Sequence, residues 1–489
     1  MGISPYLSSM YYRLYPLLFS FLVFGCETSN VTPPSDFPLS TVIESLEGIR
    51  ETSITNRRFK QRDLQPLINQ LPSAFAVDTA GRSVEDRPLW RVRWGSGTTT
   101  VLLWSQMHGD EPTATAALFD LFNWLSSSDT TTANLRELFA ENLELTFLPM
   151  LNPDGAERYA RRNALGIDLN RDALHLTSPE ARLLKSERDR LNADWGFNLH
   201  DQSTYYGAGF PSSKSCGLSI LAPAYDWGKT INEKRKDAMQ LIARMNAIWQ
   251  QDIPGQVGRY NDDFEPRAFG DNLQKWGTRT ILIESGGLPN DPEKQEIRQL
   301  NLLALIAALH SIATGDYEAF TQDDYFAIPE NKYNGMHQLR LERVLLDRPD
   351  GEFMMDIAFR RSERSLPPDF REFTSRGFIS DVGDLHTFGA YENVPEQGLR
   401  ARPGRALPGS YDSLAILKLV PWELYEKGYT AVVGKSWQLL HPMDDQLTIL
   451  PPGRAADTIV APGRNPGLLL YDKHDQLWGA VIDGRLRRQ

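Results

Sequence analysis

Two histidines and two glutamates stand where apolar runs give way to loops. The run Val101-Leu102-Leu103-Trp104-Ser105-Gln106-Met107 leads into His108-Gly109-Asp110-Glu111. Trp195-Gly196-Phe197-Asn198-Leu199 ends in His200, and Thr280-Ile281-Leu282-Ile283 delivers Glu284. Two imidazoles and one carboxylate, here His108, His200 and Glu111, make the protein half of a catalytic zinc site, with a fourth position left to water. A second carboxylate, Glu284, would be the base such a water needs. The set reads as metal-assisted hydrolysis at one ion. A lone His-x-x-Glu arises often by chance, so its company decides.

These residues meet only if their elements do. Residues 89–94 alternate as a strand and turn through Gly95-Ser96-Gly97 into a second strand over 99–104. An apolar helix over 114–125 follows, with Pro112 and Thr113 as start signals. The pattern continues with a strand over 143–150, a helical stretch over 178–191 and a strand over 197–199. Then come an amphipathic helix over 230–249, a strand over 280–283 and an apolar helix over 297–312. Strands alternating with helices imply an α/β fold, a mostly parallel mixed sheet sandwiched by helices. Ligands in such sheets bind outside the carboxyl ends of the strands, where all four candidates fall. Residues 39–71 predict two short surface helices, punctuated by Pro66 and Pro72. Beyond Gly315 helical periodicity fades. Residues 414–419, 431–433 and 467–470 read as short strands, and 478–485 as a closing hairpin.

Further along stand Leu151-Asn152-Pro153-Asp154-Gly155 and the stretch Arg161-Arg162-Asn163 through Asp168-Leu169-Asn170-Arg171-Asp172. Gly81-Arg82-Ser83 and Arg87-Pro88-Leu89 precede them. With these motifs the chain resembles, over residues 75–312 and in the family's order, the zinc metallocarboxypeptidases of the carboxypeptidase A kind. The resemblance implies an α/β/α fold, one zinc ion and hydrolysis of the C-terminal peptide bond of a substrate with a free carboxylate. It makes His108, Glu111 and His200 the zinc ligands and Glu284 the general base. It makes Arg161 the stabiliser of the oxyanion, with Arg162 as rival. Asn170 and Arg171 become the pair that grips the terminal carboxylate, and Tyr260 the mobile tyrosine over the substrate, with Tyr205 and Tyr206 as competitors. A planar guanidinium suits both anions. The chain departs from the family at Gly109-Asp110, where carboxypeptidase A has a substrate-contacting arginine. It departs again at Asp172, where an asparagine is common, and at Phe269-Gly270-Asp271 beside the specificity pocket. Asp201-Gln202 would orient His200 from behind, and the other six histidines match no part of the pattern.

A chain of 489 residues suggests more than one domain. Its net charge of −11 argues against a general nucleic-acid partner. Its two cysteines, Cys26 and Cys216, exclude a disulfide framework and a Cys-based zinc site; with Cys26 lipidated, Cys216 would be a small core residue. Residues 14–24 are an apolar run of signal-peptide length after Arg13. They end in Leu22-Val23-Phe24-Gly25-Cys26, which resembles a lipoprotein cleavage site with Cys26 as the acylated residue. The expected organisation is a signal peptide over 1–26, a tether over 27–38, a catalytic domain over 39–318 and a β-rich accessory domain over 320–489. The expected location is the cell envelope or outside the cell, with membrane contact only through Cys26. Two other functions fit the pattern: a zinc deacylase of the aspartoacylase-like group, which shares the ligand plan, and a binding protein on an inactive scaffold. The Asn170-Arg171 pair favours the peptidase, on a peptide or a murein-peptide substrate.

Overall fold

In a computed structural model the described residues are 37–489, apart from 213, 349–350, 396–397 and 436–445. The expected signal peptide, Cys26, most of the tether, and His441 lie outside the described residues. The described chain starts with helices α1 (Leu39–Ser45) and α2 (Gln61–Asn69). Strands β1 (Ala76–Arg82), β2 (Pro88–Trp94) and β3 (Thr99–Ser105) follow, then α3 (Thr113–Leu125), α4 (Ala133–Asn142) and β4 (Leu143–Leu148). Next are α5 (Pro153–Arg158), α6 (Pro179–Leu191), β5 (Trp195–Asp201), β6 (Gly207–Ala208), β7 (Leu218–Leu221) and α7 (Glu233–Asp252). β8 (Val257–Arg259), α8 (Phe269–Lys275), β9 (Arg279–Ser285) and α9 (Gln295–Thr314) complete this half.

Eight of these strands form one sheet in the order β1-β2-β4-β3-β5-β9-β7-β8. The centre, β4-β3-β5-β9, is parallel, while β1, β2 and β7 join antiparallel. Val101 to Trp104 on β3 are fully buried, because helices cover both faces, and this is why the strand is an unbroken apolar run instead of an alternating one. Val101 and Leu103 face the core built with α3, α4, α7 and α9. Leu102 and Trp104 face the opposite core, built with α6 and α8. Helix α9 is long and apolar enough to cross a membrane but lies inside the fold, packed on α3 and α7. A helix apolar all round is what such a position requires. Pro66 lies inside α2 instead of ending it. Burial of Leu64 and Ile68, and the bond from Lys60 N to Asp63, outweigh the one helical bond that proline forgoes.

The C-terminal half carries α10 (Gln322–Phe326), β10 (Asn331–Lys332), and the long strands β11 (Met336–Arg348), β12 (Gly351–Ser365) and β13 (Phe373–Gly383). It continues with β14 (Gly389–Val394), β15 (Arg400–Pro403), β16 (Arg405–Tyr411), α11 (Ser413–Leu417), α12 (Pro421–Glu426) and β17 (Tyr429–Gly434). β18 (Thr448–Leu450), β19 (Leu468–Tyr471), β20 (Leu477–Ile482) and β21 (Arg485–Arg487) end it. A second sheet runs β13-β12-β11-β15-β19-β20-β21, with β14 also paired to β11, and β16-β17-β18 form a third. Leu339, Leu341, Ile357, Phe359 and Val481 supply its own core. The closing hairpin is present, turning at Asp483-Gly484 with positive φ at both residues, as a tight two-residue turn demands. Residues 414–419 are not a strand. Asp412 caps Ala415 N and starts α11, a case where a short apolar run does not reveal its period.

Candidate active site

The carboxyl ends of β3, β5 and β9 lie side by side, and His200 and Glu284 are register partners across β5 and β9. Adjacent partners in a sheet point the same way, so both side chains enter one cavity of about 360 Å³. His108, Glu111, Arg161, Asn170, Arg171, Tyr260 and Asp271 also line it. The sheet topology therefore gathers every residue carried over from the resemblance.

His108 arrives by a loop held from several sides. Gln106 takes a positive φ as the chain leaves β3. Its side-chain amide donates to Gly109 O at 3.0 Å. Asn152 accepts from Gly155 N at 2.9 Å, capping α5, and donates to Met107 O at 3.2 Å and Arg161 O at 3.3 Å. Asp154 is fully buried and accepts from Ser83 Oγ, Glu85 N and Arg87. The Ser83–Arg87 and Asn152–Gly155 motifs, far apart in sequence, thus form one brace behind the site. Gly109 explains its own identity: a Cβ there would lie 2.0 Å from the carbonyl carbon of Gly155.

Nδ1 of His108 lies 2.8 Å from Glu111 Oε1, and Nδ1 of His200 lies 2.6 Å from Glu111 Oε2. The three residues are buried, and their donor atoms all lie within 4.8 Å of one another. Two imidazole nitrogens and a carboxylate suit zinc. The Nε2 of His108 meets Asp168 Oδ1 at 3.0 Å. With an ion bound, a proton held on Nε2 by that carboxylate would leave the Nδ1 lone pair for the metal. The donor set and its tautomer control fit a metal ion.

Asp168 is a residue the sequence reading passed over. It also accepts from Arg161 Nε at 3.0 Å, while Arg161 Nη1 donates to Glu111 Oε1 at 3.2 Å. Arg161 is thereby aimed at the cluster. Its rival Arg162 is exposed and donates to Gly166 O. Asp201 does not orient His200 with its side chain. That carboxylate takes Thr113 Oγ1 at 2.5 Å and Lys294 Nζ at 3.1 Å, and its backbone N–H supports Glu111 at 3.3 Å. Asp172 is turned away too, accepting from Thr177 N and Ser178 ahead of α6. Cys216 is buried.

The electrostatics follow from these contacts. Burial alone would lower His108, but Glu111 and Asp168 outweigh it and lift the imidazole to about 9. His200 has only its share of Glu111, and burial keeps it below the usual value. Burial opposes ionisation of Glu111, yet the two imidazoles hold it well below the carboxylate range. Glu284 goes the other way: burial first, and Glu111 second, push its carboxyl well above the ordinary value. Burial and a neighbouring like charge are the two causes that raise a carboxyl in this way.

A second wall of the cavity is built around α8. Asn170 sits on a tight turn, Leu169–Arg171, and its Oδ1 accepts from Phe269 N at 2.9 Å at the start of α8. Arg171 pairs with Glu265 at 3.3 Å. Asp271, on α8, lines the cavity and accepts from Glu265 N at 2.9 Å. Tyr260 follows β8 and touches Tyr206, hydroxyl to hydroxyl at 3.3 Å. Both line the cavity, whereas the Tyr205 hydroxyl binds the backbone of Arg361. Tyr333, from beyond the region of resemblance, lines the cavity as well.

Carboxypeptidase SOL1 of Arabidopsis thaliana is 34% identical over 98 residues, 19% of this chain and about a fifth (20%) of the length of that relative. Among solved structures, the metallo-carboxypeptidase of Burkholderia cenocepacia is 18% identical with a TM-score of 0.43, over 53% of this chain and 70% of that one. A metallo-carboxypeptidase of Pseudomonas aeruginosa in complex with (2-guanidinoethylmercapto)succinic acid is 17% identical with a TM-score of 0.40, again over 53% and 70%. Residues 61–204, the stretch that holds His108, Glu111, Arg161, Asp168, Asn170, Arg171 and His200, match the zinc carboxypeptidase family.

Proposed function

We propose that this protein is a zinc-dependent metallocarboxypeptidase that removes the C-terminal residue from peptides with a free carboxylate, acting outside the cytoplasm. The observation that carries the reading is the meeting, in one cavity, of the His108–Glu111–His200 donor cluster with Glu284, Arg161, Asn170 and Arg171. His108, Glu111 and His200 would hold the ion. Bound there, zinc would supply Lewis-acid chemistry, polarising the scissile carbonyl and making water easier to deprotonate. Glu284 takes the proton of the attacking water and hands it to the leaving amine. Arg161, held by Asp168, faces the oxyanion as it develops. Asn170 and Arg171 hold the terminal carboxylate, which takes the place that Glu265 occupies on Arg171. The proposed location rests on residues 14–26, and Cys26→Ser should abolish lipid labelling if Cys26 is the anchor.

The test pairs one peptide in free-acid and C-terminally amidated forms, with zinc measured on the same samples. The free acid should lose its last residue and the amide should survive. Glu284→Gln should keep its zinc while turnover drops by about 10²–10⁴-fold. Equal cleavage of both peptides, or internal cuts, would defeat the reading. Hydrolysis of N-acyl amino acids alone would put the deacylase in its place.

A further inference from the structure

Tyr333 is a large aromatic side chain left 63% exposed on a backbone that is firmly held. It occupies the tip of a tight turn closed by Gly335 N to Lys332 O at 3.0 Å, with Asn334 at φ 55°. The two residues before it, β10, pair antiparallel with β6 in the loop that follows His200. Asn331 anchors the pairing by donating to Ser219 Oγ at 2.8 Å and to Gln202 Oε1 at 3.3 Å. A Cβ on Gly258 would stand 2.9 Å from that of Asn331, so the segment is packed against the catalytic sheet without slack. Lys332 places its ammonium over the Phe210 ring at 5.1 Å.

From this anchor the Tyr333 ring meets Tyr206 edge-on, with centroids 5.4 Å apart, and Tyr206 meets Tyr260 at 5.9 Å. All three line the cavity that holds Glu284. The ladder belongs to the loop after β5, the end of β8 and the turn after β10, whereas Arg171 and Asn170 belong to the turn against α8. The cavity thus has two differently made walls, one charged and one aromatic.

We propose that Tyr333 and Tyr206 form a subsite for the peptide chain upstream of the scissile bond, selecting an aromatic side chain there. The inference rests on the reading of Arg171 as the holder of the terminal carboxylate, which leaves the other wall to the upstream residues. Extended peptide advances about 3.4 Å per residue. Two ring-to-ring steps of 5.9 and 5.4 Å, counted from Tyr260 over the terminal residue, therefore span up to about three residues. Tyr333 reaches the third or fourth residue from the C-terminus. Stacking on an exposed, preorganised ring favours a planar partner because little motion is lost on contact.

The test uses the full chain loaded with zinc and a set of pentapeptides with one fixed C-terminal residue. A single Phe is moved through the second, third and fourth positions from the end, against an all-Ala parent. Wild type should prefer Phe at the third or fourth position by roughly tenfold in kcat/KM, expressed in KM. Tyr333→Ala should erase that preference, and Tyr333→Phe should retain it. Calorimetric binding of the same peptides to Glu284→Gln, with and without Tyr333→Ala, should repeat the order in Kd. If wild type cleaves the peptides without positional preference, or Tyr333→Ala keeps the preference, the subsite is overturned while the peptidase reading stands. If zinc-loaded wild type cleaves none of them, the peptidase reading falls and the subsite falls with it.

Discussion

Asp168 joins two parts of the site with two oxygens, one on His108 Nε2 and one on Arg161 Nε. Its loss should therefore be felt twice. In Asp168→Ala the His108 ring is no longer fixed in tautomer or orientation, and zinc affinity is expected to fall by about 10–100-fold, a range usual for such partners. Competition with a chelating dye measures it, and an unchanged zinc affinity would remove Asp168 from the positioning of His108. At this scale the sequence was legible where chemistry dictates residue type. His108, Glu111, His200 and Glu284 stood out because each lies at or just beyond the end of an apolar strand. Asp168 and Asn152 did not, although both lie inside motifs that were noticed. An aspartate near an arginine looks like any solvated pair, and only folding reveals that it faces a buried imidazole. The choice of Arg161 over Arg162 was hidden for a similar reason: neighbouring arginines carry the same charge, and backbone direction alone separates them.

Among the elements, α8 carries a carboxyl whose charge state the fold controls. Burial pushes the Asp271 carboxyl from 3.8 up to about 7, and its bond from Glu265 N does not compensate. A carboxyl harder to ionise in the folded chain than in the unfolded one stabilises the fold below about pH 4. That advantage is lost as pH rises through about 7. Asp271→Asn removes the titration. The variant should gain stability relative to wild type between pH 4 and pH 8, read as a growing difference in urea midpoint. A difference that stays constant across the window would show that Asp271 ionises freely where it stands. The helices and strands that position the site were readable from periodicity, since central parallel strands and their covering helices leave strong patterns. The sequence reading stumbled where a short run has no room to show a period, as at α11, and where a proline is absorbed, as in α2. It also left the long strands β11, β12 and β13 unmarked, because their exposed faces mix charged and apolar residues without clean alternation.

At the scale of the whole molecule, Arg58 ties the N-terminal segment to the second sheet. Its side chain is 3% exposed; it donates to Ser365 Oγ at 2.7 Å and Glu363 Oε2 at 2.9 Å. Its guanidinium also lies over the rings of Tyr159 and Phe373, at 3.8 and 4.4 Å. Arg58→Ala should cost about 1–3 kcal/mol, because charge-assisted bonds are lost at a site closed to water. Hydrogen exchange should quicken in β12 and β13 first, and unchanged exchange there would mean the second sheet is held by its other contacts. Nothing in the sequence announced this docking, since an Arg-Arg pair and a distant Glu-Arg-Ser carry no mark of their meeting. The ladder of β6 with β10 has a consequence of another kind. The donors and the base are inscribed at the ends of β3, β5 and β9, whereas the rim they look out upon is partly inscribed in β10 and the turn after it, downstream of them all. Inherited changes near residue 333 can thus redraw the rim while leaving the donors untouched, so chemistry and appetite are free to evolve on separate clocks.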